Sequence, residues 1–378
     1  MPAESRPKLA LNLIQLLPNA SGGIETYARE LLPLLLDRLP DWEVTAFVNR
    51  EGGSEYVSWD DRCEWRTLDL SWHDRFKRLH FESTVLPRIL RRDNFDLLHN
   101  LVNTACRAPG CPQVTTIFDA TPQLYPPPGE SIPSKVFRKL LARATRRSDL
   151  ILTISESAKR DLINAYDLPE DAISVILLAA RERSELLPVD QVLSEFDLAA
   201  DVEYFLTPAA RRPNKNIEAL LRAFAATSQS HTLLLLPGAD AGDDVELSRL
   251  IEALGLTDRV KLLGWITDQQ LDSLYAGALG MLFPSLAEGF GLPILEAMAC
   301  ACPVATSDLS SMPEVAGDNA LFFDPRSISG ITQAIDRLTD DRELRERLST
   351  VGPARAAMFS WNRVADETVA AYRSMLLS

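Results

Sequence analysis

A chain of 378 residues exceeds what one hydrophobic core usually organises, so two domains are expected. Apolar residues make up 46% and charged residues 24%, the balance of a soluble globular protein. A net charge of −14 excludes general nucleic-acid binding, which needs Lys and Arg to neutralise phosphates.

The pattern alternates strands and helices. LALNLIQLL (9–17) reads as a first buried strand; Ser21, Gly22 and Gly23 follow, then a helix over 24–39 with an apolar stripe through Leu31, Leu32, Leu35 and Leu36. Further strands are expected at 42–48, 95–100, 113–119, 148–155 and 172–178, an order typical of a parallel sheet. The charged, Pro-interrupted stretch 182–201 breaks this rhythm and reads as an interdomain connection. A second alternation has strands at 203–209, 231–238, 259–264, 277–285 and 302–307, with helices at 216–227 and 268–277 among them. Two doubly wound domains follow, with ligands outside the carboxyl ends of the strands.

Residues 284–304, PSLAEGFGLPILEAMACACPV, carry the strongest chemical signal. Gly289 and Gly291 permit a tight turn, and Pro293 suits the first turn of a helix. Strand, glycine turn and helix together aim backbone N–H groups and a positive helix end at one point, where an anion fits. Glu288 belongs at the mouth of that site and Glu296 about one turn inside the helix. In ARRPNKNIEALLRAF (210–224), Arg211, Arg212 and Lys215 precede an amphipathic helix. Positive charge there opposes the helix dipole, which an anionic ligand would explain; a solvated basic turn is the alternative. Gly22 and Gly23 admit either a ligand or a plain turn. Asp119 and His99 stand at strand ends, each readable as a hydroxyl contact or as a structural cap or core residue. Trp265 and Ile266 lie in a loop that either meets a ligand or buries the indole.

Other features are plainer. Five cysteines form no even framework, and Cys106 and Cys111 lack the companions a zinc site needs. Cys300 and Cys302 read as buried, and the histidines suggest no metal cluster. The first residues lack a basic start with a long apolar core, and no apolar run reaches a membrane span, so a cytoplasmic protein is expected. Residues 1–190 hold 24 basic and 27 acidic side chains, against 15 and 26 in 191–378. Lys135, Arg138, Lys139, Arg143, Arg146 and Arg147 recur at helical steps, as a solvated face or as an attraction to anionic lipid.

The EGFGLP segment with Glu288 and Glu296 resembles the E-x7-E signature of retaining GT-B-fold glycosyltransferases, most closely glycosyltransferase family 4. The resemblance runs through most of the chain and is strongest over 203–361. It implies an α/β fold of GT-B type, two Rossmann-like doubly wound domains facing across a cleft. The expected divisions are 1–182 on the acceptor side, 183–360 on the nucleotide-sugar side, and a 361–378 helix packing back on the first domain. It implies that Glu288 lies against the donor sugar and Glu296 on the ribose hydroxyls. Lys215 and Arg212 would neutralise the departing diphosphate. Arg211 shares the donor role, and which arginine matches stays open because Ala210 replaces a frequent Gly. Gly22, Gly23, Phe290, Gly291, Leu292, Trp265 and Ile266 would complete the donor site. Asp119 and His99 would touch acceptor or sugar, with Phe118 where many relatives carry His. Ala301 stands where a glycine is common.

The expected activity is metal-independent transfer of a mannosyl or glucosyl group, with retention, from a nucleotide-sugar to a glycan or lipid-linked saccharide in surface polysaccharide synthesis. No cofactor is expected beyond the donor, and the 135–147 helix would give peripheral contact with the inner face of the membrane. A sugar-nucleotide 2-epimerase and a non-catalytic sugar-nucleotide-binding protein are the alternatives.

Overall fold

The computed structural model describes residues 6–18, 22–126, 131–208, 212–229, 231–239 and 245–377. The chain divides into two compact units. One holds Met1–Leu124, Gly129–Leu178 and Ser360–Ser378; the other holds Tyr125–Pro128 and Ala179–Phe359.

In the first unit seven strands run in the order β3-β2-β1-β4-β5-β6-β7. They are β1 (Lys8–Asn12), β2 (Glu43–Val48), β3 (Glu64–Thr67), β4 (Leu97–Asn100), β5 (Gln113–Thr116), β6 (Leu150–Thr153) and β7 (Ile173–Val175). The pairings are parallel, which requires long crossovers; helices supply them except between β4 and β5, where residues 101–112 form an irregular loop. The inner strands β4, β5 and β6 are buried along their whole length, and the polar residues of β4 (LLHN) and β5 (QVTT) bond to one another inside the sheet. The strand expected over 9–17 ends at Asn12. Its side chain accepts from Ile14 N (3.2 Å) and donates to Asn100 Oδ1 (3.0 Å), and this local bonding turns the chain although the apolar run continues. The Trp361–Leu377 helix belongs to this unit. Arg38, at the end of the Gly23–Arg38 helix, bonds Asp366 (2.5 Å) and the Asn362 carbonyl (3.1 Å). Trp42 stacks on Tyr372, and Tyr27 meets Trp361.

The second unit has six strands in the order β10-β9-β8-β11-β12-β13. These are β8 (Tyr204–Leu206), β9 (Leu233–Pro237), β10 (Val260–Gly264), β11 (Gly280–Phe283), β12 (Val304–Ser307) and β13 (Leu321–Phe323). Their core joins Phe205, Leu234 and Leu282 to Leu220 and Phe224 of the Ile217–Ala226 helix and to Ile335 and Leu338 of Ile328–Asp340. The short strands β3 and β13 were not readable from pattern. Both are edge strands, and the three or four residues of each lack a fully buried face. The strand order reverses between β8 and β11. Loops leaving the carboxyl ends of two such strands diverge and open a binding crevice.

Candidate active site

Two turns occupy that switch point. After β8 the chain forms a single helical turn, Pro213–Lys215, closed by Asn216 with φ 56°. After β11 it runs through Pro284–Gly291 into the Leu292–Ala299 helix, with Gly291 at φ 104° as N-cap and Pro293 in the first turn. Side-chain amides lock the turns together. Asn214 donates to the Ala287 carbonyl (2.8 Å), and Asn216 donates to those of Pro284 (3.2 Å) and Pro325 (2.7 Å). Leu286 N donates back to the Asn214 carbonyl (2.7 Å). Ser310 and Ser311 hold the glycine turn from the far side through the Glu288 carbonyl (both 3.0 Å), and Ser311 also donates to that of Phe290 (2.7 Å).

This scaffold brings Lys215 Nζ to 2.9 Å from Glu288 Oε1 and 4.9 Å from the centre of the Phe283 ring. Their side chains are only 16% and 14% exposed. Glu296 lies on the same helix as the glycine cap, and its carboxyl is raised to about 7. Burial is the largest cause; Arg181 and Lys215 oppose it, and Asp272 and Asp268 reinforce it. Carboxyls perturbed in this way by burial and specific charges cluster at functional sites.

Arg181 was not singled out by sequence. Its guanidinium forks onto Asp272 (Nη1–Oδ2 2.8 Å, Nη2–Oδ1 2.6 Å), with Nε 3.9 Å from Glu296 Oε1 and 3.6 Å from Asp268 Oδ1.

Phe290 is buried and meets Phe359 edge-on (ring centres 5.8 Å apart), so its side chain anchors the turn. Gly291 is buried and Leu292 half-buried. Arg212 is exposed beside the Pro213–Lys215 turn, and Arg211 lies outside the described residues. Trp265 is 87% exposed, against the option of a buried indole, while Ile266 is half-buried. The loop leaves β10 where Gly238 N donates to the Gly264 carbonyl (2.7 Å) and Gly264 N to that of Ala239 (2.9 Å). Thr267 then caps the Asp268–Gly277 helix in a reciprocal box with Gln270.

The remaining residues lie in the first unit. Gly22 caps the Gly23–Arg38 helix at φ 56°, with open space where a Cβ would stand. Ser21 lies outside the described residues. Asp119 is half-buried and accepts from Thr121 N (2.7 Å), a turn-closing role. His99 is fully buried, with Nδ1 bonded to the Tyr372 hydroxyl and Nε2 2.8 Å from Thr116 Oγ1. Burial lowers its imidazole to about 3. Both ring nitrogens are thus engaged inside the fold, which corrects the option of a sugar contact from His99. A second group unread from sequence surrounds Glu82, which lies in a π-helical turn, Phe81–Val85. Its buried carboxylate accepts from Asn12 (3.0 Å), Gln15 (2.8 Å) and Thr104 (3.0 Å).

A doubly wound pair of units carrying these turns is of the GT-B class. Among solved structures the chain is similar to a sucrose-phosphate synthase from Thermosynechococcus elongatus (TM-score 0.79, 21% identity, 98% of this chain and 100% of that one). It is also similar to WaaG, a glycosyltransferase involved in lipopolysaccharide biosynthesis (TM-score 0.73, 15% identity, 95% and 98%). The family model Glycosyl transferases group 1 matches residues 193–355, and Glycosyltransferase Family 4 matches 21–178. The chain belongs to this glycosyltransferase family. It is 34% identical to O-antigen chain mannosyltransferase B of Escherichia coli over 248 residues, 63% of this chain and 64% of that protein. Against O-antigen chain mannosyltransferase RfbU of Salmonella typhimurium it is 31% identical over 233 residues, 60% and 62%. The matched stretch thus spans less than two thirds of either relative.

Proposed function

We propose that this protein moves a hexosyl group, mannosyl or glucosyl in type, from a nucleotide-sugar to a hydroxyl acceptor with retention at the anomeric carbon. The observation that carries this reading is the Lys215–Glu288 pair, 2.9 Å apart at the switch point of the second sheet. Lys215 and an arginine beside it, Arg212 or Arg211, meet the diphosphate, so the reading calls for no metal or cofactor. A cation already in place stabilises charge growing on the leaving group without reorganising at the moment of reaction. The bond from the anomeric carbon to the phosphate oxygen breaks as the bond to the acceptor oxygen forms. The acceptor proton passes to the departing diphosphate on the same face. Glu288 positions the sugar and Glu296 takes the ribose hydroxyls. Trp265 and Ile266 border the base, the Gly22–Gly23 turn serves the donor, and Asp119 meets the acceptor or the sugar.

The O-antigen chain mannosyltransferase relatives support a saccharide acceptor in surface polysaccharide synthesis; our reading makes that acceptor lipid-linked and met at the cytoplasmic face of the membrane. Among the described residues no helix is long and apolar enough to cross a membrane. On the Ile132–Arg147 helix, Lys135, Lys139, Arg143 and Arg146 are exposed. A cavity of about 610 Å³ beside its start is lined by Phe76 and Ile132, which are 85% and 78% exposed. Basic charge around protruding apolar groups suits peripheral contact with an anionic bilayer.

The test is incubation with a panel of nucleotide-sugars, with and without lipid-linked saccharides, followed by product analysis. Acceptor-dependent nucleotide release with an axial or equatorial linkage matching the donor is expected. An epimerised nucleotide-sugar formed without acceptor would overturn the reading, as would binding of every donor without turnover.

A further inference from the structure

Glu296 can accept two ribose hydroxyls only as a carboxylate, and its surroundings work against that form. Asp268 and Asp272 face it from the Asp268–Gly277 helix, where Tyr275 is also buried close by, and Cys300 follows on its own helix. Lys215 is the cation on the diphosphate side and is already engaged with Glu288. The cation on the other side is Arg181, 8% exposed, at the start of the segment that enters the second unit. Its place is over-determined. Asp272, itself 2% exposed, takes both terminal nitrogens of the guanidinium (2.6 and 2.8 Å). Asp272 also accepts from Ser184 N (2.8 Å), and Leu187 N donates to Ser273 Oγ (2.9 Å). The Arg181 fork is thus spent on Asp272, and the remaining Nε stands between two carboxylates, 3.6 Å from Asp268 Oδ1 and 3.9 Å from Glu296 Oε1. A rigid fork held in this way suits the direction of charge better than a flexible ammonium.

We infer that Arg181 is a positioning residue of the donor site, holding Glu296 ionised and oriented for the ribose, with Asp272 fixing Arg181 in turn. This rests on the reading of Glu296 as the ribose-binding carboxylate. It makes donor affinity pH-dependent, with opposite signs for two neighbouring substitutions. Removing the Arg181 charge keeps the Glu296 proton on to higher pH, whereas removing the Asp272 charge releases it at lower pH.

The experiment is calorimetric binding of GDP-mannose and UDP-glucose, whose diphosphates do not titrate near neutrality, from pH 5.5 to 9. It uses the full chain as parent, R181M, R181K, D272N and E296Q, with folding checked by circular dichroism. Parent affinity should rise through about pH 7. R181M should move that midpoint up by ~1 pH unit or more, giving a loss of about tenfold at pH 7 that recovers toward pH 9. R181K, which keeps the charge without the fork, should give a midpoint between those of the parent and R181M, and D272N should move the midpoint down. A pH-independent loss in R181M, or an unmoved midpoint in a folded R181M or D272N, overturns the inference alone. If R181M does not fold, the sign of the D272N shift decides. If E296Q binds as tightly as the parent at pH 8.5, the ribose reading falls and the inference with it.

Discussion

Replacing Lys215 with Met removes one charge and keeps the alkyl stem over Phe283, so it isolates what the ammonium does. At 2.9 Å from Glu288, the Coulomb attraction is about 6 kcal/mol at an effective dielectric near 20. Desolvation offsets much of this. Exposed pairs contribute ~0–1 kcal/mol and breaking a buried pair costs ~3–5. Side chains 16% and 14% exposed lie nearer the buried end, so Lys215→Met should cost roughly 3 kcal/mol in urea unfolding. Most of that is the Glu288 charge left without a partner. The double variant Lys215→Met/Glu288→Gln should therefore recover at least half of the lost stability. It should not recover turnover, because the leaving-group cation is still missing, and kcat should stay ~10²-fold down or more. A double variant as unstable as the single one would refute the pairing argument. A rise in KM with kcat intact would move Lys215 from transition-state to ground-state binding.

Ala301 sits at φ 57° just past the Leu292–Ala299 helix, where its N–H reaches the Met298 carbonyl (3.0 Å) and Cys302 N reaches that of Ala297 (2.9 Å). This is a Schellman closure built on a residue with a Cβ, and Ala301→Gly should stabilise by ~0.5–1 kcal/mol net of the added chain entropy; a lower thermal midpoint would contradict it. His99 has a folded value of about 3 against an ordinary 6.5, so the unfolded chain binds a proton that the folded one refuses. Stability should fall as pH drops from about 6.5 toward 3, by up to ~1.4 kcal/mol per pH unit, and His99→Gln should flatten this slope; an unchanged acid limb would count against it. Replacing Arg143, Arg146 and Arg147 with Ser should reduce co-sedimentation with anionic liposomes at low salt, each lost charge removing ~1 kcal/mol, while donor affinity holds. Indifference of the parent protein to such liposomes would return this helix to an ordinary solvated face.

What could be read from sequence was what is written locally. The glycine turn and the Pro start around Glu288 and Glu296 sit within a dozen residues, and Lys215 stands beside a strand end and a helix start. Both doubly wound sheets followed from apolar runs spaced by amphipathic helices. Arg181 escaped because its partner Asp272 is 91 positions away and an arginine at the edge of a charged stretch looks solvated. Glu82 escaped likewise, since Asn12, Gln15 and Thr104 reach it only across the folded sheet. For His99 the strand end was legible, but the hydroxyl of Tyr372, 273 residues on, was not. Trp265 shows the converse: of its two readings the buried indole fails, since the side chain is 87% exposed.

The last helix gives this chain an order of assembly. The first unit is left at Leu178 and rejoined only at Ser360, so while residues 179–359 are being made its sheet is present without the segment that covers Tyr27, Trp42 and His99. During that interval His99 Nδ1 has no Tyr372 to meet, and the apolar face of the Gly23–Arg38 helix stays open to other chains. The second unit, by contrast, is contiguous but for Tyr125–Pro128 and can close while the first one waits. The half that begins at the N-terminus is thus the half that finishes last, against the usual N-to-C sequence of domain maturation. A ribosome-stalled chain ending near residue 358 should show protease resistance over 179–358 and cleavage within 23–42. Full protection of both segments at that length would mean the helix is dispensable for closing the first core.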